Sequence, residues 1–217
     1  QRHGGHAFEV PALEIVETRH KKQALEKLNR AKDFDYLLFT SPNAVKFAEK
    51  LGLDFSSIQG FIAIGSGTEA KLAPFIQGKE IITAPKPYTS EALIQKCKEH
   101  DLKGRSILII SGEGGRRLLG NALKKQGART QYCNVYRREV PQHFPLNSAI
   151  EAKKHKKRLA LLISSQEALN NLLSPLKEAD LLSAIDPLIV GSKRLANHAK
   201  KLGFQNPIIA KSALEAD

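Results

Sequence analysis

The sequence predicts an α/β fold: two lobes of parallel sheet flanked by helices, joined by a two-stranded ribbon, with one lobe inserted in the other. Three observations lead there. Short apolar runs of strand length alternate with segments of helical period along the whole chain, the signature of parallel strands buried on both faces. One strand-turn-helix pattern occurs twice, 124 residues apart. Only the first copy is followed by a further strand and glycine-rich turn. Composition agrees, since 217 residues with 41% hydrophobic and 26% charged content match a folded globular chain rather than a disordered or fibrous one.

The strand-length runs are 8–10, 36–39, 61–64, 80–83, 107–110, 159–163, 188–190 and 207–210. Segments of helical period fill the gaps at 20–31, 43–51, 68–75, 89–100, 115–126, 146–157, 166–173 and 193–202. In the repeat, Leu37-Leu38-Phe39-Thr40-Ser41 matches Leu161-Leu162-Ile163-Ser164-Ser165, and Ile64-Gly65-Ser66 matches Val190-Gly191-Ser192. The spacing agrees as well, 25 residues from Thr40 to Gly65 against 27 from Ser164 to Gly191.

The first copy goes on to Ile107–Ile110 and the turn Ser111-Gly112-Glu113-Gly114-Gly115, whereas the second has no such unit after Ile209. The chain's beginning would complete the second lobe. The expected organisation is a discontinuous lobe of 1–11 and 142–217, a continuous lobe of 18–131, and a linker ribbon of 12–17 and 132–141. Gln1 to His6 reads as the end of a helix, with Gly4-Gly5 at its cap. The first strand of the discontinuous lobe is therefore expected upstream of it.

Ligand chemistry belongs at the C-terminal ends of the strands of an open parallel sheet. Thr40, Ser41, Ser66, Gly67, Thr68, Ser111, Gly112, Ser164, Ser165, Gly191, Ser192 and Lys193 fall there and are the candidate substrate-binding residues. Each strand end can offer hydroxyls and backbone N–H groups at the start of a helix, an anion site. The competing local reading is plain N-capping. A net charge of +12 favours an anionic ligand over none.

Several function classes drop out. No apolar run approaches the ~20 residues of a membrane span, so no membrane partner is expected. Cys97 and Cys133 form no CxxC pair and the seven histidines are scattered, so neither a metal nor a disulfide framework is indicated, and a reducing cytoplasm fits. Gly65-Ser66-Gly67-Thr68-Glu69-Ala70 satisfies a dinucleotide fingerprint, yet the next strand ends Thr83-Ala84-Pro85 without the carboxylate that would hold a ribose. No nucleotide triphosphate loop is present, because Gly112-Glu113-Gly114-Gly115 does not continue into Gly-Lys-Ser/Thr. The basic run Lys153–Arg158 lacks interleaved aromatics, so it reads as a solvated helix end rather than a nucleic-acid footprint.

Laid out this way, the chain resembles the uroporphyrinogen-III synthase (HemD) family over nearly its whole length. The resemblance lies in Leu38-Phe39-Thr40-Ser41-Pro42-Asn43-Ala44-Val45, Ala63-Ile64-Gly65-Ser66-Gly67-Thr68, Gly127-Ala128 through Tyr136-Arg137, Val190-Gly191-Ser192 and Leu202-Gly203-Phe204. Ser164, Gln166 and Lys193 depart from the family pattern. The resemblance implies a cyclising lyase of tetrapyrrole biosynthesis without a cofactor. Its substrate would be the polycarboxylate hydroxymethylbilane, which loses water while its last ring is inverted through a spiro intermediate and the macrocycle closes. A monomer is expected, with hydroxymethylbilane synthase as the enzyme that would supply it. The resemblance also implies a catalytic role for Tyr136, assisting departure of the hydroxyl, although packing of an amphipathic tyrosine explains the position equally well. Two other classes stay open on the residues alone: a two-lobed small-anion-binding protein without catalysis and, last, a nucleic-acid-binding protein.

Overall fold

In a computed structural model, residues 5–115 and 117–210 are described. The chain divides into two compact units, one of residues 15–138 and one of residues 1–14 with 139–217. The first unit is built on β1 (Glu14–Glu17), β2 (Tyr36–Phe39), β3 (Gly60–Ala63), β4 (Glu80–Thr83), β5 (Ser106–Gly112) and β6 (Arg129–Glu139). Its helices are α1 (Lys21–Asn29), α2 (Pro42–Lys50), α3 (Ser66–Ile76), α4 (Ser90–Cys97) and α5 (Leu118–Lys125). The strands form one sheet in the order β1-β6-β5-β2-β3-β4, and the five from β6 to β4 are parallel.

Period-two alternation sorts this sheet's apolar residues onto two faces. Leu37, Phe39, Phe61, Leu108 and Ile110 pack against α1, α2 and α3 in one core, while Leu38, Ile62, Ile107 and Ile109 face α4 and α5 in a second. Being covered on both sides, the central strands read as continuous apolar runs. Connections run from β2 outward through β3 to β4, then jump back across β2 to β5 and β6. The strand order therefore reverses between β2 and β5, the place where open α/β sheets present their ligand crevice.

The second unit holds β7 (Leu159–Ile163), β8 (Ile185–Val190) and β9 (Ile208–Ile209), a parallel sheet in that order. It is accompanied by α6 (Asn147–Lys154), α7 (Gln166–Glu178) and α8 (Lys193–Lys201). Leu169, Leu172, Leu176, Leu188, Val190 and Leu195 centre its core.

Two expectations need correction. Residues 8–10 form no strand; the extended segment lies later, at β1, where Ile15 packs against the core of the larger unit. The linker segments read at 12–17 and 132–141 contain β1 and most of β6, which are neighbours at one edge of the larger sheet, and β6 pairs with β5 from Arg129 to Tyr136. Helix α7 continues five residues beyond the apolar period to Glu178, with Pro175 inside it and Leu176 in the core. Packing of Leu176 outweighs the proline penalty. Of the helix end read at Gln1 to His6, residues 1–4 lie outside the described residues.

Candidate active site at the strand reversal

Five of the residues singled out in the sequence converge where the strand order reverses. Thr40, Ser41, Ser111, Gly112 and Tyr136 line one cavity of about 250 Å³ at the C-terminal ends of β2, β5 and β6. Its two most intimate neighbours are hydroxyls: Ser41 Oγ and Tyr136 Oη lie 3.1 Å apart.

The reason Tyr136 reaches Ser41 is a β-bulge. Register between β5 and β6 runs Ser111 with Asn134 and then Gly112 with Tyr136, which leaves Val135 as an extra residue on β6. Strict alternation would put Tyr136 on the face of Tyr132 and Asn134. The bulge turns it instead to the side of α2, so Cys133, Val135 and Tyr136 all join the same core. There its ring stands 5.8 Å from that of Phe47, and the side chain is only 5% exposed. Gly112 makes room: a Cβ at that position would come within 2.6 Å of the tyrosine ring.

Ser41 is also the N-cap of α2, its Oγ accepting from the Ala44 amide at 3.0 Å. That bond occupies a lone pair and leaves the serine O–H available to Tyr136. Thr40 donates to the Ile110 carbonyl across the reversal point, and Ser111 donates to Asn134 Oδ1 at 3.0 Å between β5 and β6, so each strand end is tied to its neighbour. The hydroxyl groups are thus fixed before any ligand arrives.

The remaining candidates are placed elsewhere. Ser66, Gly67 and Thr68 form the first turn of α3, whose N-cap Gly65 provides no side-chain acceptor. Ser66 and Gly67 are exposed, while Thr68 is buried and its Oγ1 has no partner. None of the three lines the cavity. Ser164, Ser165, Gly191, Ser192 and Lys193 belong to the smaller unit, at the ends of β7 and β8. Ser165 and Ser192 are N-caps, accepting from the amides of Ala168 at 3.1 Å and Leu195 at 3.3 Å. Ser164, Gly191 and Lys193 are exposed there.

Sequence reasoning missed Ser90, Glu113, Tyr132 and Arg138, all of which line the cavity. Ser90 opens α4 behind the N-cap Thr89, a signal readable from Thr89-Ser90-Glu91. Tyr132 stands under the Arg117 guanidinium, 4.3 Å from its ring centroid, and its hydroxyl accepts from the Gly120 amide. Nothing local distinguished Glu113, Tyr132 and Arg138, because sheet register brings them to the cavity.

Both cysteines are buried and unpaired, and burial pushes each thiol up to about 11, so neither is a nucleophile. Among the described residues no group of three His, Cys, Asp or Glu side chains is placed to hold a metal ion, and no helix is long and apolar enough to cross a membrane.

The fold and the cavity define a two-unit α/β protein that presents a hydroxyl-lined pocket, without a metal cluster among the described residues, at a topological switch point. The family profile described as uroporphyrinogen-III synthase HemD matches residues 1–216. The uroporphyrinogen-III synthase of Salmonella typhimurium strain LT2 is 31% identical, across 95% of this chain and 86% of its own length. That of Escherichia coli K12 is 29% identical over the same shares. Among solved structures, a mutant uroporphyrinogen III synthase of the extremely thermophilic bacterium Thermus thermophilus superposes with a TM-score of 0.52 at 16% identity, over 93% of this chain and 82% of that one. The Helicobacter pylori 26695 enzyme gives 0.51 at 18%, over 92% and 84%. These two likenesses bear on fold alone. The chain belongs to the uroporphyrinogen-III synthase (HemD) family.

Proposed function

We propose that the cavity at the reversal of the larger sheet is where this chain performs the reaction of its family, with Tyr136 as the proton donor. Family membership makes it a cyclising lyase of haem biosynthesis, which closes hydroxymethylbilane to uroporphyrinogen III with loss of water and inversion of ring D. The observation that carries the site assignment is the Ser41–Tyr136 hydroxyl pair at the switch point.

Tyr136 gives its phenolic proton to the departing hydroxyl as the carbon–oxygen bond breaks, and the electron pair leaves with the oxygen as water. The carbon left behind is a cation delocalised onto its pyrrole nitrogen. Attack by the last ring forms the spiro intermediate; rearrangement and closure then release a pyrrole proton, which returns to the phenolate. Ser41 supports the middle of this cycle when, with Tyr136 deprotonated, its O–H donates to the phenolate Oη while its oxygen goes on accepting from Ala44 N–H. An unperturbed phenol, with a pKa of about 10, is a weak acid, and a fixed donor to the nascent phenolate makes transfer easier.

Substrate carboxylates are held by groups that the fold provides in quantity. The first turn of α3 at Ser66, Gly67 and Thr68 has no side-chain cap, and within the smaller unit, taken by itself, Ser164, Ser165, Gly191, Ser192 and Lys193 at the strand ends offer N–H and hydroxyl donors of the same kind. We further infer a cytoplasmic monomer that receives its substrate from hydroxymethylbilane synthase, to be checked by sedimentation and by co-purification with that enzyme.

The deciding experiment incubates the protein with freshly prepared hydroxymethylbilane and scores isomer III against isomer I by chromatography. Isomer III in excess of a protein-free control is expected. A protein that binds the bilane and yields only isomer I would be an anion-binding protein.

A further inference from the structure

Glu113 is the one carboxylate among the described residues that line a cavity read as the seat of a polycarboxylate substrate. A fixed negative charge there repels the ligand and calls for a physical reason. The side chain is held firmly: Oε1 accepts from Thr18 Oγ1 at 2.6 Å and from the Arg19 amide at 2.8 Å, and Thr18 is itself buried. Its backbone is held too, the Glu113 amide donating to the Tyr136 carbonyl at 2.8 Å.

Partial burial acts to raise the Glu113 carboxyl, but the Thr18 hydroxyl, the Arg19 amide and the neighbouring His20 and Arg137 outweigh it and hold the group below its ordinary value. It is ionised at neutral pH. The two hydrogen bonds do not account for the charge, because the amide oxygen of a glutamine would accept both. What the charge adds is a carboxylate at the wall of a cavity that Arg138 also lines, with Arg137 and His20 beside it, fixed to the same main chain as Tyr136.

We propose that Glu113 provides the counter-charge for the cation formed when the substrate's hydroxyl departs beside Tyr136. The inference rests on the reading of the cavity as the site of that reaction. A preorganised charge aimed at charge that develops only in the transition state accelerates the step without tightening ground-state binding. Here it weakens ground-state binding, through repulsion of the substrate's carboxylates. Removing the charge should therefore move kcat and KM in the same direction, a combination that loss of a merely structural contact does not produce.

The test compares Glu113→Gln, Glu113→Asp and Glu113→Ala in the full chain, with hydroxymethylbilane as substrate. Glu113→Gln keeps the one oxygen that accepts both hydrogen bonds and should keep its melting temperature, while kcat for isomer III falls by about tenfold or more and KM falls with it. Glu113→Asp keeps the charge on a shorter arm and should retain more kcat than Glu113→Gln. Glu113→Ala loses charge and hydrogen bonds together, so it should show the lost kcat with a lowered melting temperature. A Gln variant whose kcat drops by less than about fivefold, or an Asp variant no better than Gln, overturns the proposal. Should Glu113→Gln fail to fold, the comparison of Asp with Ala decides alone. Wild-type protein that forms no excess of isomer III would instead overturn the reading of the reaction, independently of Glu113.

Discussion

Leu38 and Leu162 occupy the same place in the internal repeat, yet one is completely buried and the other is 71% exposed. Both follow a leucine and precede a buried residue and two hydroxyl residues at the end of a parallel strand. The difference lies in the company of the strand. β2 is central, with β5 on one side, β3 on the other and helices over both faces. β7 has a single described partner, β8, and its burial alternates so that Leu159 and Ile163 are buried while Ala160 and Leu162 are exposed. A repeat in sequence therefore sets strand and turn, whereas the number of layers packed on the strand sets what each side chain contributes. The same contrast holds at the hydroxyls: Ser41 caps its helix and also meets Tyr136, while Ser165 in its own unit serves as a cap.

The sharpest way to break this comparison is to truncate both leucines. Leu38→Ala should cost about 2–5 kcal/mol, as for a large-to-small change in a closed core, and Leu162→Ala should stay within about 0.5 kcal/mol. Urea titrations of the two variants measure this directly; equal losses would show that β7 is as well covered as β2.

Next comes the base of the larger sheet, opposite the cavity, where Asp35 bridges β2 and β5. Its carboxylate accepts from Ser106 Oγ at 2.6 Å, from Ser106 N at 2.7 Å and from Arg105 at 3.0 Å. The Ser106 hydroxyl and amide, with the Arg105 charge, lower its pKa to about 2 against the effect of partial burial. A depressed folded-state value means that this stabilisation is complete above the ordinary value near 3.8 and is lost as pH falls through about 2. Asp35→Asn should lower stability by about 1–3 kcal/mol at pH 7 and by progressively less as the pH approaches 2. A constant difference across that range in chemical denaturation would remove the ionised state from the account.

Tyr136→Phe tests what the bulge accomplishes. We expect formation of isomer III to slow by about tenfold or more, equivalent to about 1.4 kcal/mol in the barrier, with the melting temperature held, because one hydroxyl is lost and little volume. Steady-state kinetics and calorimetry on the same preparation separate the two effects.

The smallest expected effects are at the caps. Ser41→Ala and Ser165→Ala should each lose about 0.5–2 kcal/mol of stability as N-caps, and Ser41→Ala alone should lose turnover as well if its O–H supports the phenolate. Comparable turnover in both variants would leave Ser41 as a cap only.

Much of this molecule is legible in the chain. Apolar runs placed β4 and β7 to the residue and β2 likewise, because a strand buried on both faces must be apolar throughout. Hydroxyl and glycine residues after those runs marked the helix starts, since caps are local chemistry. The extra strand 107–110 was legible as a strand, but that it lies beside β2 and so reverses the strand order came only from the pairing. What the residues could not disclose was the bulge. Whether Tyr136 faces α2 or the opposite layer depends on one unpaired residue, Val135, in a pairing between segments some 20 residues apart, and the same sequence alternation fits either face. The sequence by itself therefore determined which residues make strands, caps and turns; only tertiary register decided that a tyrosine, a serine and a glutamate share one cavity, because a shift of one residue in a sheet reverses the side on which every following side chain stands.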